Sequence, residues 1–209
     1  MAGLVLASKS PRRAVLLRLL TDDFVVEAVQ VTEEAPRALP VPDALEVIAR
    51  KKAMAAARLH PGAFVLAADT VVVYRGRLVG KARSELELRA NLAMLAGETH
   101  EVHTGLALAR NGESIDQAHA ATKVTFDRLP ADVLGRYVAS EAWYGKAGGY
   151  GIQDALLAPY LHVDGAWSTV VGLPLAETAA MLGRNGVAVR DPPGEDWLRD
   201  HNPFDATPK

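Results

Sequence analysis

The chain has 209 residues, of which 49% are hydrophobic and 23% charged, with a formal net charge of −2. Such a length buries a full core, in one large domain or two small lobes, without covalent staples. The near-balanced charge excludes a general attraction to nucleic acid or membrane, so any anion site has to be local, and the absence of cysteine excludes disulfides, thiolate catalysis and cysteine-type zinc centres.

Leu4 to Ala7 reads as a short buried strand, and residues 11–20 as an amphipathic helix carrying Val15, Leu16, Leu17, Leu19 and Leu20. Between them lies Ser8-Lys9-Ser10-Pro11-Arg12-Arg13. Proline suits the first helical position, and a serine just before it is expected to cap the free amides. A helix N-terminus with two hydroxyls and two guanidinium forks is a site for an anion, phosphate above all; the plain alternative is a capped helix with two solvated arginines. Residues 24–31 read as a strand, followed by a proline-dotted loop from Glu33 to Pro42. Asp43 is expected to cap an alanine-rich helix running to about Leu59, with Leu45, Ile48, Ala49, Lys52 and Ala56 along one side. Phe64 to Tyr74 is a β-rich run interrupted by Asp69-Thr70, and Ser84 caps a helix over 84–95.

Strands near 100–109 and 114–126 meet at Asn111-Gly112, a dipeptide suited to a tight hairpin. A helix at about 131–139, a glycine-rich segment at 145–151, a β stretch near 156–163 and a final helix from Pro174 to about Leu182 complete a domain over 1–184. Residues 185–209, with four prolines and no regular period, read as a loosely attached C-terminal tail. Helices mixed with a hairpin-bearing sheet predict an α/β or α+β fold rather than an all-parallel sheet. No apolar run approaches the roughly 20 residues that span a bilayer, and no signal-peptide pattern is present, so a cytoplasmic protein is expected.

A carboxylate inside a run as apolar as Val65-Leu66-Ala67-Ala68-Asp69-Thr70-Val71-Val72-Val73 loses hydration, which is expensive unless it is paired, metal-bound or opens on a cavity. Capping a turn between two short strands is the other reading of Asp69. The Gly76-Arg77 turn would bring Lys81 back toward Asp69. Lys52 falls on the apolar-leaning side of its helix, where lysines commonly snorkel, and Lys51 points elsewhere. Two lookalike motifs fail. Gly76 to Lys81 has three rather than four residues between its glycines and Ala82 where a P-loop needs Ser or Thr. Lys146-Ala147-Gly148-Gly149-Tyr150-Gly151 misses the dinucleotide spacing. His100 and His103 would lie on opposite faces of a strand, which argues against a two-histidine metal site. The remaining inventory, basic groups with Glu33 and Asp69, suits the binding and hydrolysis of a nucleotide-like polyphosphate: cations clamp phosphates, acids hold a divalent ion, and one carboxylate deprotonates a water.

Leu6-Ala7-Ser8-Lys9-Ser10-Pro11-Arg12-Arg13, Ala67-Ala68-Asp69-Thr70-Val71-Val72, Gly80-Lys81, Lys146 to Gln153 and Val171-Gly172-Leu173-Pro174-Leu175 resemble, in order, the signature segments of the Maf family. The resemblance implies a nucleoside triphosphate pyrophosphatase using Mg²⁺ or Mn²⁺, with the family's elongated α/β fold. That fold has a long twisted mixed sheet, helices on both sides and two lobes around a central cleft, as in inosine-triphosphate pyrophosphatases. It is often a homodimer.

By position, Asp69 matches the proton acceptor, and Glu33 its acidic partner at the metal, with Glu34 as the second choice. Ser8, Ser10, Arg12, Arg13, Lys52 and Lys81 match the phosphate-binding set. Arg12, Thr70 and Gln153 match the branch acting on dTTP and UTP, including modified forms such as 5-methyl-UTP and pseudo-UTP, in a nucleotide house-cleaning role. A sister branch acting on 7-methyl-GTP replaces them. A glutamine amide offers the donor and acceptor that a uracil edge requires. Ala82 departs from the family's proline, which is expected to loosen that turn. The rival function is a non-catalytic nucleotide-binding regulator of septum formation.

Overall fold

The computed structural model describes residues 3–32, 34 and 39–204. In chain order the elements are β1 (Leu4–Ala7), α1 (Pro11–Arg18), β2 (Phe24–Glu27), α2 (Val41–Ala57), β3 (Phe64–Tyr74), β4 (Arg77–Val79), α3 (Glu85–Leu95), β5 (Glu98–Arg110), β6 (Glu113–Phe126), α4 (Ala131–Ala139), β7 (Leu161–Asp164), α5 (Trp167–Val171), α6 (Leu175–Arg184) and α7 (Glu195–Asp200). The strands form one mixed sheet in the order β2-β1-β3-β5-β6-β7, with β4 paired to β3. β1 runs parallel to both β2 and β3, and the remaining pairs are antiparallel. This is the α/β class with the mixed, helix-flanked sheet that the sequence predicts.

Side-chain alternation along the strands divides the core between two faces. Val5, Ala7, Val65, Ala67, Ala107 and Ala109 face α2 and its Ala49, Ala53, Ala56 and Ala57. These small residues let the helix lie close on the sheet. At Gly105 a Cβ would stand 2.8 Å from the Leu45 Cβ and 2.9 Å from the Leu45 carbonyl carbon, so the close approach requires glycine there. Leu4, Leu6, Leu66, Ala68, Leu106 and Leu108 face the larger second layer, built from α1, α3, α4, α5, α6 and α7. Leu16, Leu17 and Leu20 are fully buried in it, each contributing about 1.5–3 kcal/mol.

The hairpin turn holds Asn111 and Gly112 at φ of 52° and 80°, the left-handed pair a tight two-residue connection requires. Ser84 accepts a hydrogen bond from the Glu87 amide, capping α3 as expected. Several expectations need correction. β2 stops at Glu27 instead of continuing to residue 31, and β7 occupies only Leu161–Asp164. Asp43 lies inside the first turn of α2, whose N-cap is Pro40; Pro42 lies in that same turn, where no amide is required.

Residues 186–204, the described part of the expected tail, pack onto the domain. Leu198 of α7 is fully buried, Trp167 packs on Phe204 with ring centroids 6.1 Å apart, and Ser168 donates both its amide and its hydroxyl to the Glu195 carboxylate, at 3.0 and 2.6 Å. Among the described residues no helix is long and apolar enough to cross a membrane.

Candidate active site

β1 covers the edge of β3 only as far as the Leu6–Leu66 pair, and β4 takes up the same edge from Val72. Between them β3 has no neighbour on that side, because β1 has turned into the Ser8–Ser10 corner that starts α1. A cavity of about 690 Å³ opens at this gap. Ser8, Ser10, Arg12, Arg13, Lys52, Asp69, Thr70, Lys81 and Gln153 all line it. Glu33 lies outside the described residues. Glu34 does not line the cavity; its backbone carbonyl accepts a hydrogen bond from Lys51.

Asp69 lies within a continuous strand rather than at a turn, paired with Gly105 across the sheet. Its side chain points to the α2 face, where Lys52 donates to Oδ1 at 2.6 Å. Both side chains are about nine-tenths buried. Water is largely excluded from this pair, so Lys52 fixes the carboxylate's orientation as well as offsetting its charge.

Thr70, one residue on, points to the opposite face. Arg13 Nη2 donates to its hydroxyl at 3.0 Å, while Nε reaches the Gly172 carbonyl at 2.7 Å and Nη1 the Ser8 hydroxyl at 3.4 Å. Thr104, fully buried, donates to the Thr169 carbonyl, so the 2.9 Å Thr70–Thr104 contact is a bond donated by Thr70. Thr70 thus orients Arg13 through a hydroxyl chain that ends on the backbone. Gly172, at φ 117°, closes the arrangement: a Cβ there would come within 3.1 Å of the Thr70 hydroxyl and 3.4 Å of Arg13 Nε.

Ser10 occupies the N-cap position of α1 but caps nothing; its buried hydroxyl has no partner, and its amide donates to the Ser8 hydroxyl. Burial pushes the Arg12 guanidinium down from its ordinary pKa. Lys81 follows β4 into the cavity wall despite the departure at Ala82, which is 4% exposed and part of the core.

Sequence reasoning missed Lys146, which also lines the cavity at 8% exposure, 3.7 Å from Asp154. Burial lowers its pKa and Asp154 opposes that shift. A lone charge entering a glycine-rich run was the available signal. His100 is buried against the Tyr150 hydroxyl, and desolvation takes it down to about 4, so it serves the core as a neutral ring. Among the described residues no group of three acidic, histidine or cysteine side chains could cage a metal. Asp69 is the one acid among the described cavity-lining residues. This donor set fits an ion of the magnesium type, which takes one or two carboxylates and completes its shell with phosphate and water oxygens.

The family model described as "Maf-like protein" matches residues 3–185. A dTTP/UTP pyrophosphatase of Paramagnetospirillum magneticum is 45% identical over 90% of this chain and 100% of its own. One from Chlorobium luteolum is 41% identical over 86% and 95%. The solved structure of a HAM1 protein from Coxiella burnetii aligns over 97% of this chain and 98% of that one, at 20% identity and a TM-score of 0.45. With a family match over most of its length and relatives above 40% identity, the chain belongs to the Maf family.

Proposed function

We propose that the protein is a nucleoside triphosphate pyrophosphatase that hydrolyses dTTP and UTP to the monophosphate and pyrophosphate. The relatives' shared activity supports the substrate class. The observation that carries the chemistry is Asp69, a single buried carboxylate held by Lys52 on the wall of a cavity whose other charged lining residues, among those described, are cations.

In the reaction, Asp69 takes a proton from a water whose oxygen bonds to the α-phosphorus. The bond from that phosphorus to the α,β-bridging oxygen breaks in line, and pyrophosphate leaves with the bonding electrons. Arg12, Arg13, Lys81 and the Ser8 and Ser10 hydroxyls bind the phosphate chain; the unpartnered Ser10 hydroxyl has a donor to give an incoming oxygen. Asp69 and Glu33 would hold Mg²⁺ or Mn²⁺, which supplies charge neutralisation on the phosphate oxygens when bound. Thr70 acts by fixing Arg13, and Gln153 presents its amide to the base edge.

We place the enzyme in the cytoplasm as a homodimer, which size-exclusion chromatography with light scattering tests. The activity is tested by pyrophosphate release from dTTP, UTP, 5-methyl-UTP, CTP, 7-methyl-GTP and ITP with Mg²⁺ or Mn²⁺. Turnover concentrated on the thymine and uracil members is the expected result. Activity on 7-methyl-GTP would overturn the branch assignment, and no pyrophosphate from any of them would overturn the enzyme.

A further inference from the structure

Lys146 is set at the start of the glycine-rich segment. Like Lys52 it has an acid beside it, here Asp154, which is itself fixed by accepting the Leu156 amide at 3.1 Å. At Gly151 a Cβ would lie 2.7 and 2.8 Å from the two Gln153 amide heteroatoms and 2.9 Å from Lys146 Nζ. The missing side chain is therefore what lets the ammonium and the amide converge on one spot. Beside them the wall is apolar: a Cβ on Gly148 would touch Val72 at 3.0 Å and the Tyr150 ring at 3.2 Å, and Val72, Val102 and Tyr150 all line the cavity. An apolar shelf ending in a primary amide and an ammonium suits a flat heterocycle with polar edge atoms better than it suits a phosphate.

The charge balance points the same way. A phosphate gains most from a cation whose field is uncompensated, whereas a lysine already neutralised by a neighbouring acid still offers directed N–H donors to a neutral acceptor. Its desolvation cost is met on folding, where burial lowers its pKa and Asp154 opposes that shift.

The edge of uracil or thymine reads acceptor, donor, acceptor. One amide pairs with two adjacent groups of that edge, leaving the second carbonyl needing a donor. We propose that Lys146 reads the nucleobase, donating to one carbonyl oxygen of a pyrimidine-2,4-dione while the Gln153 amide pairs with the ring N3–H and the other carbonyl. This rests on the pyrimidine-nucleotide reading above and adds to it the residue that recognises the second carbonyl.

The test is calorimetric binding of α,β-imido-UTP and of inorganic tripolyphosphate to the wild type, to Lys146→Met, and to Lys146→Met combined with Asp154→Asn. The double variant removes the carboxylate that the single one strands. The expected result is a loss of about 10- to 100-fold in affinity for the uridine ligand in both variants, the worth of one charge-assisted hydrogen bond, with tripolyphosphate affinity within twofold of wild type. Tripolyphosphate weakening in parallel would assign Lys146 to the phosphate chain and overturn the proposal, as would unchanged affinity for both ligands. Pyrophosphate release from UTP by the wild type, measured alongside, separates the two claims. Its absence refutes the enzymatic reading and this inference with it; its presence with unselective binding effects refutes only the role of Lys146.

Discussion

Replacing Gly172 by alanine should damage stability and turnover together, through two distinct causes. The backbone there sits at φ 117°, ψ 16°, where an L side chain costs about 1–3 kcal/mol. For a chain of this size each kcal/mol lowers the melting temperature by about 2–4 °C, so a fall of several degrees is expected. The new methyl would also lie 3.1 Å from the Thr70 hydroxyl and 3.4 Å from Arg13 Nε. The contact to Thr70 is tighter than ordinary and the one to Arg13 stands at its limit. Thr70 cannot retreat freely, because it is hydrogen-bonded to Thr104 behind it, so the strain is relieved by displacing Thr70 together with the Arg13 guanidinium it holds. Losing one well-aimed charge-assisted bond to a phosphate is worth about 1.5–3 kcal/mol, or roughly 10- to 150-fold in kcat/KM for UTP. Thermal unfolding and steady-state pyrophosphate release measure the two effects separately. A variant that melts at the wild-type temperature and turns over UTP within twofold of wild type would refute the claim that Gly172 positions Arg13.

Three further outcomes are expected. Asp69→Asn should lower kcat by about 10²- to 10⁴-fold, the range for a lost general base, while the affinity for α,β-imido-UTP stays within a few-fold; retained turnover would remove Asp69 from the proton-transfer step. The His100 pKa falls from 6.5 to about 4 on folding, so between those values the unfolded chain binds the extra proton and stability declines as pH falls. That amounts to about 2 kcal/mol between pH 7 and pH 5; urea denaturation should show His100→Gln losing less over that interval, and an equal loss would count against a buried neutral histidine. Leu198→Ala should cost about 2–5 kcal/mol, the range for a fully buried leucine, whereas a change below about 0.5 kcal/mol in chemical denaturation would mark α7 as loosely attached after all.

The parts of the molecule legible in the sequence are those fixed by short-range rules. Pro11 after two serines announced a helix start, Asn111-Gly112 a hairpin, and Ser84 a cap, each because a few adjacent residues decide the backbone. Position in a strand was legible as well: an acid among valines and alanines had to face something polar, and it faces Lys52. What could not be read was whatever long-range contacts decide. α7 is only six residues long, too short to display a helical period, and it is held by Glu195 on Ser168 and by Leu198 in the core. Ser10 had the right chemistry for a cap, but its hydroxyl is buried in the cavity wall without a partner. Lys146 was visible as a letter in a glycine-rich run, yet its role depends on Gly151, Gln153 and Asp154 folding back around it, which no spacing rule states.

The site's two halves depend on one step along β3. Asp69 and Thr70 are consecutive, so the alternation of a strand sends them to opposite faces: the acid to Lys52 on α2, the hydroxyl to Arg13 on α1. A slip of one residue in β3 pairing would exchange those faces, setting Thr70 against the lysine and the carboxylate against the arginine. The molecule holds the register with an unbroken antiparallel ladder from Phe64–Arg110 to Val73–Glu101, and the one irregularity on β5 lies on its other edge, against β6 at Leu108/Ala109. Gly105, directly opposite Asp69, reinforces the same choice, since only the face that carries no side chain there can accept the backbone of α2. The close approach of α2 that brings Lys52 to the carboxylate and the register that aims Asp69 toward it thus meet at one cross-strand pair.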